Sequence, residues 1–382
     1  MKDISIYFTP VVLDDLKFED DQIGAKINLF QTDFPEVKKN SCVVFSVPEF
    51  RGHHTALDQS IPSNFRKDFY LHYFGGNWNF ELYDLGEILP GNELKDTYYA
   101  ISNVVAELVK INAIPIVIGG SQDLIFSVYK GYEKLEQLIN ICSIDYALDL
   151  GEPNTEIKSN GYLSQILLNR PCYLFNHANI GLQIPYVNPK QLELFDKLYF
   201  DICRLGEFNK GFRIAEPHLR NADIINIDFQ SIKASEVLGQ NSIPNGFYAE
   251  QICQIAKYSG ISDKSTSFGV FNYTDVNPVS DRLLAQIIWY FLDGVSDRKG
   301  DFPVGTKSDY IKFQVVLEES NHVLVFYKSN KSERWWMEVP YPPSNGKKYE
   351  RHHIVPCDWE DYDNAMKNEI PDLWWKTYHK LS

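Results

Sequence analysis

Residues able to do chemistry gather where three short apolar runs end. Ile114–Ile118 leads into Gly119-Gly120-Ser121-Gln122-Asp123, Leu138–Ile144 into Asp145-Tyr146-Ala147-Leu148-Asp149, and Asp223–Ile227 into Asp228-Phe229-Gln230. Paired glycines leaving a strand permit close backbone approach at a site. Three carboxylates brought together form an oxygen-rich set that suits Mg²⁺ or Ca²⁺. They also repel: two like charges about 4 Å apart cost about 4 kcal/mol at an effective dielectric of 20. Asp145, Asp149 and Asp228 must therefore be separated, protonated, paired with Lys or Arg, or neutralised by one cation. The plainer reading, preferred here, is that they hydrogen-bond neighbouring loop amides and punctuate strand ends.

Other polar candidates carry less. His53-His54 follows Arg51-Gly52 and reads as a surface loop pair, with a place over a pocket as the alternative. His352-His353 beside Arg351 lacks ligand-spaced partners and reads as solvated, and His177 ends a strand and reads as a core histidine. The six cysteines, Cys42, Cys142, Cys172, Cys203, Cys253 and Cys357, are scattered without a CxxC. They read as reduced core thiols rather than a disulfide framework or zinc site.

The elements that would position these residues alternate short strands with amphipathic helices, the pattern of a parallel sheet covered on both faces. Strands are expected at Cys42–Val47, Asn79–Leu85, Ile114–Ile118, Leu138–Ile144, Cys172–Asn176, Asp223–Asp228 and Ser267–Tyr273. A helix is expected over Glu93 to Ile111, entered through Pro90-Gly91-Asn92, with Ile101, Val104, Val105, Leu108 and Val109 on its apolar face. Another spans Asp281 to Asp293. In a doubly wound sheet of this kind, function sits at the carboxyl ends of the strands.

After Gly300 the pattern changes. Tyr310–Leu317, His322–Tyr327 and Trp335–Val339 alternate like a meander, with turns at Glu319-Ser320-Asn321 and Ser329-Asn330-Lys331. A Pro-rich break from Pro340 to Gly346 and an acidic, aromatic end follow. Two units are expected, 1–300 and 301–382. Five of the seven Trp lie past residue 330, so the extension must fold back on the main domain or dock a partner, with Trp359, Trp374 and Trp375 as the partner-binding candidates.

The whole chain has 382 residues and a formal charge of −14, from 37 Lys and Arg against 51 Asp and Glu. That balance, with no basic run, argues against nucleic acid and anionic membrane surfaces. With 44% hydrophobic and 23% charged residues the chain can bury a large core. No apolar stretch approaches the roughly 20 residues of a membrane helix, and the start lacks a signal-like apolar run. A cytoplasmic protein with protein or small-molecule partners is expected.

At its strand ends the chain resembles the ureohydrolase superfamily of arginase, agmatinase and formimidoylglutamase. Those enzymes leave the three strands through Gly-Gly-Asp-His-Ser, Asp-x-His-x-Asp and Asp-x-Asp, six ligands to a pair of Mn²⁺ ions bridging a hydroxide. The turn Leu85-Gly86-Glu87, the loop Pro48-Glu49-Phe50-Arg51-Gly52, and Asp275-Val276-Asn277-Pro278 with Asp281 are similar to further family motifs, in order over residues 40 to 297. The resemblance implies a three-layer α/β/α arginase-like fold with a mostly parallel doubly wound sheet, the C-terminal β-meander and aromatic tail lying outside it.

The departures bear on chemistry. Gln122 stands for the first ligand His, Ser121 for the Asp before it, Ala147 for the middle His and Gln230 for the last Asp. Asp145, Asp149 and Asp228 remain of the six, with Gln122 available as a carbonyl ligand. No His appears in Ser159–Ser164 where the family keeps one near substrate, and Asp275 stands for the substrate-facing Glu. A binuclear hydrolase needs both ions to make hydroxide at neutral pH. The resemblance thus implies an arginase-fold pseudoenzyme acting in binding or scaffolding through its C-terminal extension, without a cofactor or with at most one divalent cation (Mg²⁺, Ca²⁺ or Mn²⁺). The alternative is a divergent formimidoylglutamase-like C–N hydrolase working with that single cation.

Overall fold

The computed structural model describes residues 3–13, 16–55, 64–152, 156–303, 307–318, 322–342 and 352–381. The expected turn at Glu319-Ser320-Asn321, the break beyond Pro342 and Arg351 lie outside the described residues.

Ten strands form the first sheet: β1 (Phe8–Thr9), β2 (Asn28–Leu29), β3 (Cys42–Val47), β4 (Leu82–Ile88), β5 (Ile114–Gly119), β6 (Ile139–Ile144), β7 (Leu174–Leu182), β8 (Asp201–Arg204), β9 (Ile224–Asp228) and β10 (Ser267–Phe271). Their order is β1-β4-β3-β5-β10-β9-β6-β7-β8, with β2 also on β4, and every pairing but β1 with β4 is parallel. The central strands β3, β5 and β6 are buried at every residue, as near-continuous apolar runs under two helical layers must be. Alternate side chains feed opposite cores. Val44, Ile116 and Cys142 pack on the face of helices Ala249–Ile261 and Pro278–Ser296, whereas Val43, Val117 and Ile141 pack on that of Leu94–Lys110 and Leu124–Glu133.

The differences from the sequence expectation have local causes. Helix Leu94–Lys110 is capped by Glu93, whose N–H donates to Asp96, rather than by Asn92. The later helix begins at Pro278, earlier than expected, because the Asn277 side chain accepts from Val279 N and Ser280 N with Pro at the first helical position. Strand β4 runs on to Ile88 because Asp84, fully buried within it, is neutralised by Arg66 and Tyr70. Strand β7 extends to Leu182 through polar Asn176, His177 and Asn179, which masked it, and β8 went unanticipated.

The C-terminal residues form a second, antiparallel sheet of β11 (Tyr310–Val316), β12 (Val323–Ser329), β13 (Trp335–Pro340) and β14 (His352–Cys357), with helices Trp359–Met366 and Asp372–Leu381. Its own core contains Leu324, Phe326, Met337, Val355 and Trp374. The unit folds back onto the α/β domain. Arg220 donates to Trp335 O and Cys357 O at 2.8 and 2.9 Å and lies over the Trp336 ring. Lys376 and Lys380 reach Asp201 of β8, and Lys380 donates to Asn176 at 2.6 Å. Hence His353 is not solvated as expected: it sits in β14 with its ring 5.3 Å from that of Phe175. No described helix is long and apolar enough to cross a membrane.

Candidate functional site

Neighbouring parallel strands β5, β10, β9 and β6 carry their carboxyl ends to one place. In register, Phe271 lies beside Asp228, and Ile144 beside Ile227. Gln122 follows β5, Asn272 follows β10, Asp228 ends β9, and Asp145 and Asp149 follow β6. All five line a cavity of about 210 Å³, together with Ala147 and Gln230. The paired glycines do permit a close approach. A Cβ on Gly120 would stand 2.0 Å from Glu49 O, and Asn272 N donates to Gly120 O at 2.7 Å.

Neutral groups engage Asp145, Asp228 and Gln122, whereas Asp149 hydrogen-bonds Asp145 itself. Asp145 accepts from Gln122 Nε2 at 2.5 Å and from Ala147 N at 2.9 Å. Gln122 Oε1 accepts from Asn272 Nδ2 at 2.9 Å, and Gln122 N donates to Asn272 Oδ1. Asp228 accepts from Gln230 N and is also hydrogen-bonded by the Asn272 side chain. Gln230 turns its amide to Thr274 Oγ1. Among the described residues, no Lys or Arg forms an ion pair with the three acids. Burial, then the neighbouring carboxyls, pushes Asp149 and Asp228 well above the usual carboxylate range, and burial raises Asp145. Burial and mutual proximity thus favour the protonated form of these acids over three charges side by side. Among the described residues, no group of three or more His, Cys, Asp or Glu is arranged to hold a metal ion. An amide on Asp145, a methyl at Ala147 and an amide at Gln230 do not fit a pair of Mn²⁺ ions.

Other residues named from sequence fall inside or outside this cavity. His54 lines it, its Nδ1 2.9 Å from Ser159 Oγ, and His53 is 6% exposed with its ring 4.5 Å from that of His54. The surface-pair reading holds for His54, which is exposed at the cavity, and is corrected for His53, which is buried; Ser159 N donates to Gly52 O and draws that loop over the pocket. Tyr146 and Tyr186, ring centroids 5.0 Å apart, form another wall that sequence reasoning missed. Asn272 was absorbed into the expected strand. Its φ of +54°, a conformation Asn tolerates better than most residues, ends β10 and aims its amide at Gln122. The Asp275 carboxylate is not at the cavity wall; it accepts from the backbone N–H groups of Gln240, Asn241 and Ser242. His177 is a core residue, 1% exposed, with Nε2 3.2 Å from Ser143 Oγ. Trp359, Trp374 and Trp375 lie in the C-terminal unit. Trp374 is buried, whereas Trp359 and Trp375 are 53% and 44% exposed.

No family model matches the chain, and no curated protein matches it. Solved structures do. A formiminoglutamase from Trypanosoma cruzi with Mn²⁺ is 17% identical with a TM-score of 0.62, over 74% of this chain and 100% of that one. The formimidoylglutamase of Bacillus subtilis is 14% identical with a TM-score of 0.63, over 75% and 97%. The agmatine ureohydrolase of Thermoplasma volcanium is 12% identical with a TM-score of 0.56, over 72% and 94%. Similarity at these identities is similarity of fold, and the chain has the arginase-like ureohydrolase fold.

Proposed function

We propose that this chain is an arginase-fold pseudoenzyme that acts in binding or scaffolding, with the C-terminal extension as its partner-facing part. The observation that carries this reading is the Gln122 side chain, which donates to Asp145 where the fold's hydrolases, by the resemblance, coordinate metal. Ala147 and Gln230 remove two more ligands, and losses among direct ligands exceed the roughly 10–100-fold cost of changing their outer partners. The half-exposed Trp359 and Trp375 supply the kind of aromatic surface that protein partners or a second copy use. Six cysteines without a disulfide suit the cytoplasm. Elemental analysis of purified protein, Mn²⁺ titration and a panel of linear amidines and guanidines test this. No stoichiometric metal and no turnover are expected; two equivalents of tightly held Mn²⁺ with hydrolysis would overturn it.

One observation favours a second reading, a formimidoylglutamase-like C–N hydrolase using one cation: Asp145, Asp149 and Asp228 still line a single cavity. That reading requires turnover dependent on Mg²⁺, Ca²⁺ or Mn²⁺ and lost in Asp228→Asn.

A further inference from the structure

We propose that a second cavity, at the opposite end of the sheet from the acid trio, binds a small organic carboxylate with an apolar body. It occupies about 710 Å³ where the amino-terminal ends of β3, β4, β5 and β10 meet the ends of helices Leu94–Lys110 and Pro278–Ser296, within the size range of small-molecule sites.

Arg298 supplies the charge. Its Nε donates to Gly260 O at 2.9 Å and its Nη2 to Ser265 O at 2.7 Å, so the guanidinium is fixed by two neutral carbonyls. Nη1 has no hydrogen-bond partner among the described residues, and no described carboxylate forms an ion pair with this group. Asp263, a carboxylate on the same wall that attracts the guanidinium without reaching it, has its two oxygens engaged by Gly300 N and Asp301 N. A fixed, partly buried guanidinium with an open N–H edge and no direct ion pair matches a carboxylate, which has to outcompete only the more distant pull of Asp263. Lys110, the other cation on the wall, is already paired with Glu107.

Competition from the helix ends is small. The helix closing at Lys110 turns its carbonyls onto Ile111, Asn112 and Ala113 N–H groups, and the one closing at Ser296 onto those of Asp297 and Arg298. Their carbonyl ends are thus largely satisfied before any ligand arrives.

The remaining wall divides into two parts. Asn40, Asn79, Asn112 and Gln137 present side-chain amides that hydrogen-bond no described residue, and so can donate to or accept from a ligand's polar groups. Phe80, Val109, Leu135 and Val295 present half-buried apolar surface to its body. This inference is independent of the pseudoenzyme reading, since it uses none of the acid-trio residues.

Isothermal titration of the full chain with phenylacetate, 2-phenylethanol and phenethylamine tests it, the three probes sharing a body and differing in charge. Saturable one-to-one binding of phenylacetate is expected, at least about tenfold tighter than the alcohol or the amine. Arg298→Gln should weaken phenylacetate binding by about tenfold or more. Asn79 is exposed, so Asn79→Asp keeps the fold while placing a negative charge on the wall, and it should weaken phenylacetate similarly. Absence of saturable phenylacetate binding, equal binding of the amine, or an Asn79→Asp affinity equal to wild type overturns the proposal.

Discussion

The Gln122 amide is held between two groups that make opposite demands on it. Its Nε2 donates to Asp145 at 2.5 Å and its Oε1 accepts from Asn272 at 2.9 Å, all three side chains being buried. A carboxyl removed from water needs donors, and here neutral amides provide them, so the acid can sit in the interior without a compensating cation. The orientation of the amide follows: its nitrogen faces the acid because its oxygen is claimed by Asn272.

Gln122→Met keeps the volume and removes both hydrogen bonds. One oxygen of Asp145 and the Asn272 Nδ2 then lose a partner inside the protein. The expected loss is about 1–3 kcal/mol, read from urea unfolding at pH 7. Wild-type stability in this variant would mean that water or an ion, rather than the amide, solvates Asp145.

Asp149 tests the charge state of the cavity. An acid whose folded pKa is raised binds its proton more tightly in the folded chain. Stability is therefore greatest below the unfolded value near 4 and falls as pH rises towards the folded one. Asp149→Asn removes this penalty. Its melting temperature should exceed wild type at pH 8 and converge with it near pH 4. A variant less stable than wild type at pH 8 would show Asp149 charged and paired, as a bound cation would make it.

Much of this arrangement was legible in the sequence, and what was not has physical reasons. Strands β3, β5 and β6 announced themselves because burial on both faces demands unbroken apolar runs. The same logic hid the second half of β7, whose Asn176, His177 and Asn179 find hydrogen-bond partners distant in sequence, among them Asp201, Ser143 and the Ala147 carbonyl. The acid trio was readable as strand-end punctuation. Its neutralising partner was not, since Gln122 and Asn272 are 150 residues apart and only the parallel pairing of β5 with β10 makes them neighbours. For Asp275, type and position suggested a ligand contact, whereas the loop at Gln240–Ser242 claims its carboxylate.

Two histidines give the opposite pH response. Burial lowers His177 to about 3 and His353 to about 4, so both stay neutral in the folded chain. The unfolded chain protonates them near 6.5, and from there downwards it binds more protons than the folded one. Their contribution is intact at pH 7 and is lost as pH falls through 6.5 towards 4. This overlaps the window in which the acid trio gains stability, so variants rather than the wild-type profile separate the effects. His353→Phe, which keeps a ring against Phe175, should flatten the acid side of the melting profile; an unchanged acid slope would place His353 in water.

Arg220 ties the C-terminal unit to the α/β domain. It is 3% exposed, pairs with Glu216 at 3.0 Å, donates to carbonyls on β13 and β14, and lies 4.6 Å from the Trp336 ring centroid. Removing one member of a buried pair strands the other, at a typical cost of about 3–5 kcal/mol. Lysine cannot replace it, because one ammonium cannot reproduce a planar fork that reaches two carbonyls and a carboxylate at once. Arg220→Ala and Arg220→Lys should both loosen the contact, with alanine the worse. In limited proteolysis, cleavage should then appear between Ser296 and Tyr310, where the two sheets join, before the α/β domain is cut. If both variants instead melt as one unit at the wild-type temperature, the docking energy resides in the Asp201 contacts of Lys376 and Lys380.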